Sequence, residues 1–325
     1  MYQKTITERE AGQRFDKYLH KLLPEAGNGF LYKMLRKKNI VLNGKKAEGS
    51  EKISPGDVVT VYFQDETLQK FMGKTDMGSK DVCQDAISVL YENSHVLLAD
   101  KPAGILTQKA AKEDLSFNEC LIAYLLGRQA ITPEELRTFK PSACNRLDRN
   151  TSGIVLCAKT VQGAQMLSDL LKTRSLHKFY RLYVKGTIAE EKTIEGYLYK
   201  DEKHNTVTID RDAGRPKASY ICTRYLPIRQ EADKTLLEVE LITGKSHQIR
   251  AHLSSIGHPL LGDYKYGDRA WNEKYRQKYD VNHQLLHAYR VVFPPMEGIW
   301  ADLSERAFMA PMPEIFGQVA DDGFS

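Results

Sequence analysis

The nine residues Asn145-Arg146-Leu147-Asp148-Arg149-Asn150-Thr151-Ser152-Gly153 place one carboxylate between two arginines, ahead of the strand-forming run Ile154 to Ala158. Nearby cations favour the charged form of an acid, so Asp148 is expected to be an available carboxylate near neutral pH. Such a group can act as a nucleophile, as a base or as a plain salt-bridge partner. Two further stretches carry comparable information. Arg174 to Gly186 reads as a strand with Tyr180 near its centre, where a tyrosine is ordinarily a core or interface residue. Leu241-Ile242-Thr243-Gly244-Lys245-Ser246-His247-Gln248-Ile249-Arg250-Ala251-His252-Leu253 reads as a strand end, a Thr-Gly turn and a helix. Ser246 is expected to cap that helix, which carries Ile249, Leu253 and Ile256 on one face. Gly257 ends it and Pro259 forbids its continuation.

The elements around these residues can be read from periodicity and turn chemistry. Leu90 to Gly104 looks like a strand entering a Lys101-Pro102-Ala103-Gly104 turn. Thr160 is a plausible N-cap for a helix carrying Met166, Leu167, Leu170 and Leu171 inward. Leu286 to Phe293 reads as a late structural strand. Nearer the N-terminus, Arg14 to Leu23 and Phe30 to Lys38 have helical spacing, the second with Phe30, Leu31, Met34 and Leu35 on one face. Ile40-Val41-Leu42 runs into Asn43-Gly44, a strong hairpin signal, and Pro55-Gly56-Asp57 turns into the strand Val58 to Phe63. Between Lys33 and Lys46 there are six basic residues and no acidic one. Clustered cations on a helix face either remain solvated or bind phosphates through counterion release. Gln64 to Asp85 lacks periodicity and reads as a linker, and the acidic tail from Glu314 should be loose at its end.

At 325 residues the chain accommodates about two domains of the usual ~150 residues, and 42% hydrophobic with 27% charged residues suits a globular fold. The net charge of +5 is a weak pointer to an anionic partner. Five dispersed cysteines without any Cys-x-x-Cys suggest reduced thiols in a cytosol and no zinc site. With no apolar leader and no run of eighteen apolar residues, the expected location is the cytoplasm, without a membrane partner. Two glycine motifs fail on inspection. Gly244-Lys245-Ser246 lacks the first glycine of a phosphate cradle, that position being Val239, and Gly27-Asn28-Gly29 follows no strand. His247, His252 and His258 are spaced wrongly for one helix face, so no metal site is expected. No nucleotide or other cofactor is implied.

Taken in order, the blocks resemble RluA-type pseudouridine synthases. The first matches that family's His-Arg-Leu-Asp-Arg-Asp-Thr-Ser-Gly signature, with Asn145 and Asn150 in place of the histidine and the second aspartate. The second matches Lys-x-Tyr-x-x-x-Val-x-Gly, and the third matches Thr-Gly-x-x-His-Gln-x-Arg-x-His. The likeness spans about residues 12 to 300, and the basic helix followed by Val41-Leu42-Asn43 is closest in layout to RluC-like enzymes of large-subunit ribosomal RNA. Residues 12–63 also resemble the small "S four" RNA-binding domain first described in a ribosomal protein.

The resemblance implies an α/β (α+β) protein with a small N-terminal RNA-binding domain (12–63), a linker (64–85), a catalytic domain (86–311) and a tail (312–325). The catalytic domain is expected to hold a mostly antiparallel mixed sheet flanked by helices. The implied chemistry is isomerisation of uridine to pseudouridine without a cofactor. Asp148 is implied as the nucleophile, toward ribose C1′, toward uracil C6, or in glycal formation. Tyr180 would stack on the uracil, and Arg250 would hold the aspartate through a bidentate pair of bonds worth about 1.5–3 kcal/mol each. Arg146 would fill the space that the flipped base leaves, with Leu147 beside it on the substrate. Lys33, Arg36, Lys37 and Lys38 would bind RNA phosphates. A monomer is the expected state. Two other classes are consistent with parts of the sequence: a non-catalytic RNA-binding protein of the same fold, and a methyltransferase, which would require a glycine-rich loop after a strand that the chain lacks.

Overall fold

The computed structural model describes residues 1–73, 87–111, 113–214 and 216–320. Residues 74–85 of the expected linker, with Cys83, and the end of the tail (321–325) lie outside the described residues. The chain divides into two compact units. One comprises Met1–Leu98, Ser116–Asn145 and Leu156–Asp169, and the other Ala99–Leu115, Arg146–Val155 and Leu170–Ser325.

The first unit opens with a four-stranded sheet of β1 (Tyr2–Thr5), β2 (Ile40–Leu42), β3 (Lys45–Lys46) and β4 (Val58–Val61), in the order β1-β4-β2-β3. Strand β1 precedes the segment that sequence patterning marks as structured. Two helices pack on this sheet. In α1 (Phe15–Leu22), Phe15, Tyr18, Leu19 and Leu22 recur at helical spacing and are all buried. In α2 (Asn28–Arg36), Leu31, Met34 and Leu35 turn inward and leave Lys33 and Arg36 exposed. The helix stops before Lys38 because that residue adopts a left-handed φ of 61°. Asn43 and Gly44 have φ of 52° and 70°, the twist that a two-residue hairpin needs between β2 and β3.

The expected linker starts as structure. Asp65–Met72 forms α3, whose Leu68 is buried and whose Phe71 ring lies 4.6 Å from that of Phe30. Its apolar residues are only three (Leu68, Phe71, Met72), too few to show a period among polar neighbours. The unit continues with β5 (Ser88–Glu92), part of β6 (Val96–Lys101), α4 (Phe117–Gly127) and β7 (Ser142–Ala143). It also holds the later part of β8 (Ser152–Ala158) and most of α5 (Val161–Thr173). Ser116 and Glu119 form a reciprocal capping box on α4. As its position suggests, Thr160 opens α5 by accepting the Gly163 N–H at 3.0 Å. Met166 and Leu167 are buried there, while Leu170 and Leu171 are only half-buried.

The second unit adds β9 (His177–Lys185), β10 (Lys192–Asp201), β11 (Thr206–Asp210), β12 (Ser219–Gln230) and β13 (Lys234–Leu241). Then come α6 (Gln248–Ser255), α7 (Arg269–Tyr279), β14 (Leu286–Val292), β15 (Ala307–Met309) and α8 (Glu314–Gln318). Its strands follow the order β11-β10-β12-β13-β9-β14-β8, antiparallel except that β14 and β8 run parallel. The sheet is therefore mixed and mostly antiparallel, flanked by helices, as the resemblance implies. Helix α8 opens the tail and is anchored by buried Phe316 and Val319, while the tail's end, the part expected to be loose, lies outside the described residues.

Strand alternation sorts the faces of β9. Tyr183 packs with Trp271 and Tyr275 of α7 and Phe316 of α8, so Tyr180, of opposite parity, points to the other face. Tyr180 is in register with Val239 of β13 and Ala288 of β14. Gly153 stands opposite Ala288 where β14 is bulged, with a φ of 106°. A Cβ there would lie 2.3 Å from the Ala288 carbonyl oxygen and 2.6 Å from its nitrogen. Only glycine allows β8 to reach β14 at this point. Gly153→Ala should therefore cost roughly 3 kcal/mol or more, from backbone strain plus the clash with β14. Thermal and urea melts check this, and a wild-type midpoint would contradict it.

Candidate active site

Asp148 lies on the loop between β7 and β8, and the backbone on both sides of it is clamped. Thr107 Oγ1 accepts the Leu147 N–H at 3.1 Å and donates to the Leu147 carbonyl at 2.9 Å. The Arg149 carbonyl accepts from the Gly104 N–H at 2.9 Å and from Lys101 Nζ at 3.1 Å. Lys101 is fully buried and also donates to the Pro102 and Ile105 carbonyls, both at 2.8 Å. Burial pushes its ammonium group down to about 8, while Asp148 and Asp100 pull the other way. The Lys-Pro-x-Gly stretch is thus more than a turn, because its lysine ties the turn to the chain carrying Asp148. Asn145 serves the approach to this loop, its Oδ1 accepting the Leu156 N–H at 2.7 Å.

Arg250 comes from α6, whose seat is a buried polar network. Gln248 Nε2 donates to the Cys222 carbonyl at 3.1 Å and to Thr223 Oγ1 at 3.0 Å, and Gln248 Oε1 accepts from Thr243 Oγ1 at 2.9 Å. His252 Nδ1 lies 3.0 Å from Thr223 Oγ1, and burial lowers this imidazole to about 4. Thr243, Gln248 and His252 therefore fix α6 to β12. The helix starts at His247, which has a left-handed backbone (φ 55°), and Ser246 is not its cap. The first helical N–H, that of Gln248, bonds the Lys245 carbonyl at 3.1 Å, and Gln248 Oε1 folds back on the Lys245 N–H at 3.1 Å, so the turn closes without a serine cap.

Arg250 is buried and lies between two carboxylates. Its Nε and Nη2 donate to Asp263 Oδ2 and Oδ1 at 2.7 and 2.9 Å, and its Nη1 donates to Asp148 Oδ2 at 3.0 Å. The bidentate partner is thus Asp263, and Asp148 receives a single bond, contrary to the pairing expected from sequence. The reason is geometric: Asp263 occupies the Nε–Nη2 edge of the fork, leaving Nη1 for Asp148. Burial alone would raise the Asp263 carboxyl, but Arg250 and the backbone N–H groups of Tyr266 and Lys265 hold it below the ordinary value. The Arg250 charge, opposed by burial, is held above its ordinary value by the same two carboxylates. The Tyr266 ring covers the guanidinium at 5.2 Å.

Asp148, whose side chain is 30% exposed, opens into a small cleft. Leu147, Leu241, Leu286 and the Tyr180 ring supply its apolar lining, and Arg146 also contributes. Burial and then Asp148 push the Tyr180 phenol well above its ordinary value, so it remains protonated. Asp148, Tyr180, Arg250, Arg146 and Leu147 therefore meet in one place within the second unit. Arg146 and Arg149, the sequence neighbours expected to hold the charge on Asp148, form no ion pair with it among the described residues. Lys33, Arg36, Lys37 and Lys38 are exposed on the first unit, at and just beyond the C-terminal end of α2. Sequence reading missed Asp263, Lys101 and Thr107, although Asp263 stands in the run that continues the third block. Nothing in the local sequence marks Asp263, whose part is set by its place opposite Arg250.

Asp263→Asn should leave Arg250 with one carboxylate and cost about 3 kcal/mol, as expected for breaking a buried pair. Because the folded carboxyl is held low, its contribution is complete above pH ~4 and disappears as pH falls through the folded value. Melts from pH 3 to 8 should show the wild-type advantage shrinking only at the acid end.

The comparisons with known proteins follow this geometry. A model of the RNA pseudouridylate synthase family matches residues 95–255. An RNA pseudouridine synthase of Mycoplasma genitalium, described as uncharacterized, is 30% identical over 90% of this chain and 89% of its own length. The ribosomal large subunit pseudouridine synthase C of Vibrio vulnificus is 30% identical over 89% of this chain and 87% of its own. Among solved structures, the human RNA pseudouridylate synthase domain containing 4 protein matches with a TM-score of 0.57 and 19% identity, covering 71% of this chain and 90% of its own, which supports the fold. The family match over residues 95–255 and the 30% identical relatives that align over nearly their full length make the chain a member of the RluA-type RNA pseudouridine synthase family.

Proposed function

We propose that this RNA pseudouridine synthase acts on uridines of large-subunit ribosomal RNA, with Asp148 as its nucleophile. The observation that carries the reading is the Asp148–Arg250–Asp263 array at the mouth of an apolar cleft that also holds Tyr180. Isomerisation breaks the bond between N1 and C1′, turns the base and joins C5 to C1′. Nothing is oxidised or reduced, and no external group is transferred. Arg250 orients one oxygen of Asp148 and leaves the other available for ribose C1′, uracil C6 or glycal formation. The Tyr180 ring offers a flat apolar surface to the uracil, with Leu147 alongside. A stacked uridine must first leave its helix, at a cost of a few kcal/mol, and in this reading Arg146, which lines the cleft, occupies the vacated space. Two relatives that bear ribosomal large subunit names support the choice of RNA.

Residues 12–63 serve in this reading as an RNA-binding module that supplies phosphate affinity through Lys33, Arg36, Lys37 and Lys38. Replacing these four by glutamine should weaken RNA binding and flatten the dependence of log K on log salt by roughly 0.7–0.9 per lost phosphate contact. The rate at saturating RNA should be unchanged. Filter binding between 50 and 300 mM salt, with rates measured alongside, decides this, and an unchanged slope would remove the module from RNA binding.

The main test maps pseudouridine by carbodiimide modification and primer extension in large-subunit ribosomal RNA from cells lacking the gene. That RNA is then incubated with purified wild-type protein or with Asp148→Asn. Restoration of one or a few sites by the wild type alone is expected. Intact large-subunit sites with missing sites in transfer RNA would move the substrate to transfer RNA. No change in either RNA would favour a non-catalytic RNA-binding role.

A further inference from the structure

The reading above uses Asp148, Arg250 and Tyr180 but leaves the departing base without a hydrogen-bond donor. We infer that His247 is a catalytic residue whose Nε2–H stabilises the negative charge that uracil acquires as its bond to C1′ breaks. This inference rests on the reading of Asp148 given above.

The tautomer of His247 follows from its neighbours. The Val207 N–H donates to the Tyr266 hydroxyl oxygen at 3.0 Å, and that hydroxyl lies 2.8 Å from His247 Nδ1. Among the described residues, Nδ1 is the only acceptor within reach of the Tyr266 hydroxyl proton. Tyr266 therefore donates to Nδ1, and a neutral ring must carry its own proton on Nε2. Nε2 lines the cleft 3.9 Å from Asp148 Oδ2, too far for a hydrogen bond, and that oxygen already accepts from Arg250. The Nε2–H thus has no acceptor among the described residues and remains available to a ligand lying against Asp148.

The ring is also kept neutral. Burial lowers its pKa, and Arg250 and Lys265 add to this against the opposing pull of Asp148 and Asp263. A neutral donor does not neutralise the carboxylate beside it, whereas an imidazolium would compete with Arg250 for Asp148. The backbone supports a built-in purpose. His247 holds a left-handed conformation at the start of α6, in a position where helices ordinarily place an extended Ser, Thr, Asp or Asn. Such strain is retained where the surroundings hold a side chain in one direction.

The chemical step balances without a co-reactant. The C1′–N1 electron pair leaves with the base and is shared by its carbonyl oxygens, one of which accepts the Nε2–H hydrogen bond while the proton stays on nitrogen. C1′ is held meanwhile by a bond to Asp148, or as the glycal after Asp148 takes the C2′ proton. The base turns, its C5 supplies the pair for the C5–C1′ bond as the Asp148–C1′ bond breaks or C2′ regains its proton, C5 loses a proton, and N1 ends with one. A preorganised donor on the developing anion is worth about 10²–10³ in rate.

The test uses the full-length protein and the RNA whose pseudouridine the mapping experiment restores. Single-turnover rates at saturating RNA, together with RNA Kd and melting temperature, are measured for wild type, His247→Ala, His247→Gln, Tyr266→Phe and Asp148→Asn. The same RNA is also made with 5-fluorouridine at the target, because fluorine stabilises the departing base and reduces its need for a donor. C5 then has no proton to lose, so on both substrates the rate followed is C1′–N1 cleavage, read as loss of the N-linked nucleoside from digests. On uridine, His247→Ala is expected to lose about 10²-fold in rate with an unchanged RNA Kd. Glutamine, which keeps an N–H, should retain more, and Tyr266→Phe should fall between. On 5-fluorouridine the same losses should shrink. An Asp148→Asn variant that is inactive beside a fully active His247→Ala would overturn this inference alone. Equal losses on both bases would also overturn it, by showing a merely structural role. If His247→Ala fails to fold, the ratio of the two substrates in His247→Gln and Tyr266→Phe decides in the same way. An Asp148→Asn variant as fast as wild type would remove the nucleophile and this inference with it.

Discussion

The placement of Arg250 between Asp148 and Asp263 is the constraint on which the second unit is built. A guanidinium this deeply buried must be matched by carboxylates, and the two sides of its fork are matched unequally. Asp263, almost wholly buried, takes the bidentate edge and receives two backbone N–H bonds as well. It therefore acts as the fixed end of the array. Asp148 takes one bond on a single oxygen and stays partly exposed. On the proposed reading the asymmetry matters, since a carboxylate held by both oxygens would be oriented but would have no oxygen free to react.

Placing Arg250 requires α6 to sit accurately, and placing Asp148 requires its loop to do the same. The first task falls to Thr243, Gln248 and His252, which are buried against β12 and bonded to one another, to the Cys222 carbonyl or to the Thr223 hydroxyl. The second falls to Lys101, Gly104 and Thr107, which hold the carbonyls of Leu147 and Arg149. Gly153 completes it by letting β8 lie against the bulge of β14 without a side chain between them. Many of the motif residues therefore act on the backbone around the reactive groups and leave the chemistry to a few.

This explains what could be read from the chain and what could not. The amphipathic helices α1 and α2, the Asn43-Gly44 hairpin and the strands β8, β9 and β13 were legible because local periodicity and turn chemistry determine them. The coarse fold and the grouping of Asp148, Tyr180 and Arg250 were legible through a family resemblance, since nothing in local pattern joins residues a hundred positions apart. Asp263 was not legible, because its importance comes only from facing Arg250. The same holds for Thr107, an ordinary threonine until Leu147 is placed against it. Helix α3 was hidden by a polar composition in which only Leu68, Phe71 and Met72 carry the packing. The capping role given to Ser246 was a local inference that lost to tertiary context, because Gln248 already satisfies the nearby N–H and His247 is turned into the cleft.

On the proposed reading, the charge balance of the cleft keeps Asp148 available to react. Arg250 carries one positive charge against two carboxylates, so the array as a whole stays negative and Asp148 need not be neutralised to be held. Leu147, Leu241, Leu286 and the Tyr180 ring give the cleft an apolar lining, and beside such a lining each polar group acts more strongly than it would in bulk solvent. A charged donor on the base would then compete with the reaction by pairing with Asp148 first. A neutral one, fixed by the Val207–Tyr266–His247 chain, can address the base without claiming the carboxylate. On the proposed reading, affinity for phosphate belongs to the basic surface of the first unit, and the cleft of the second can keep its few charges for the bond that is broken.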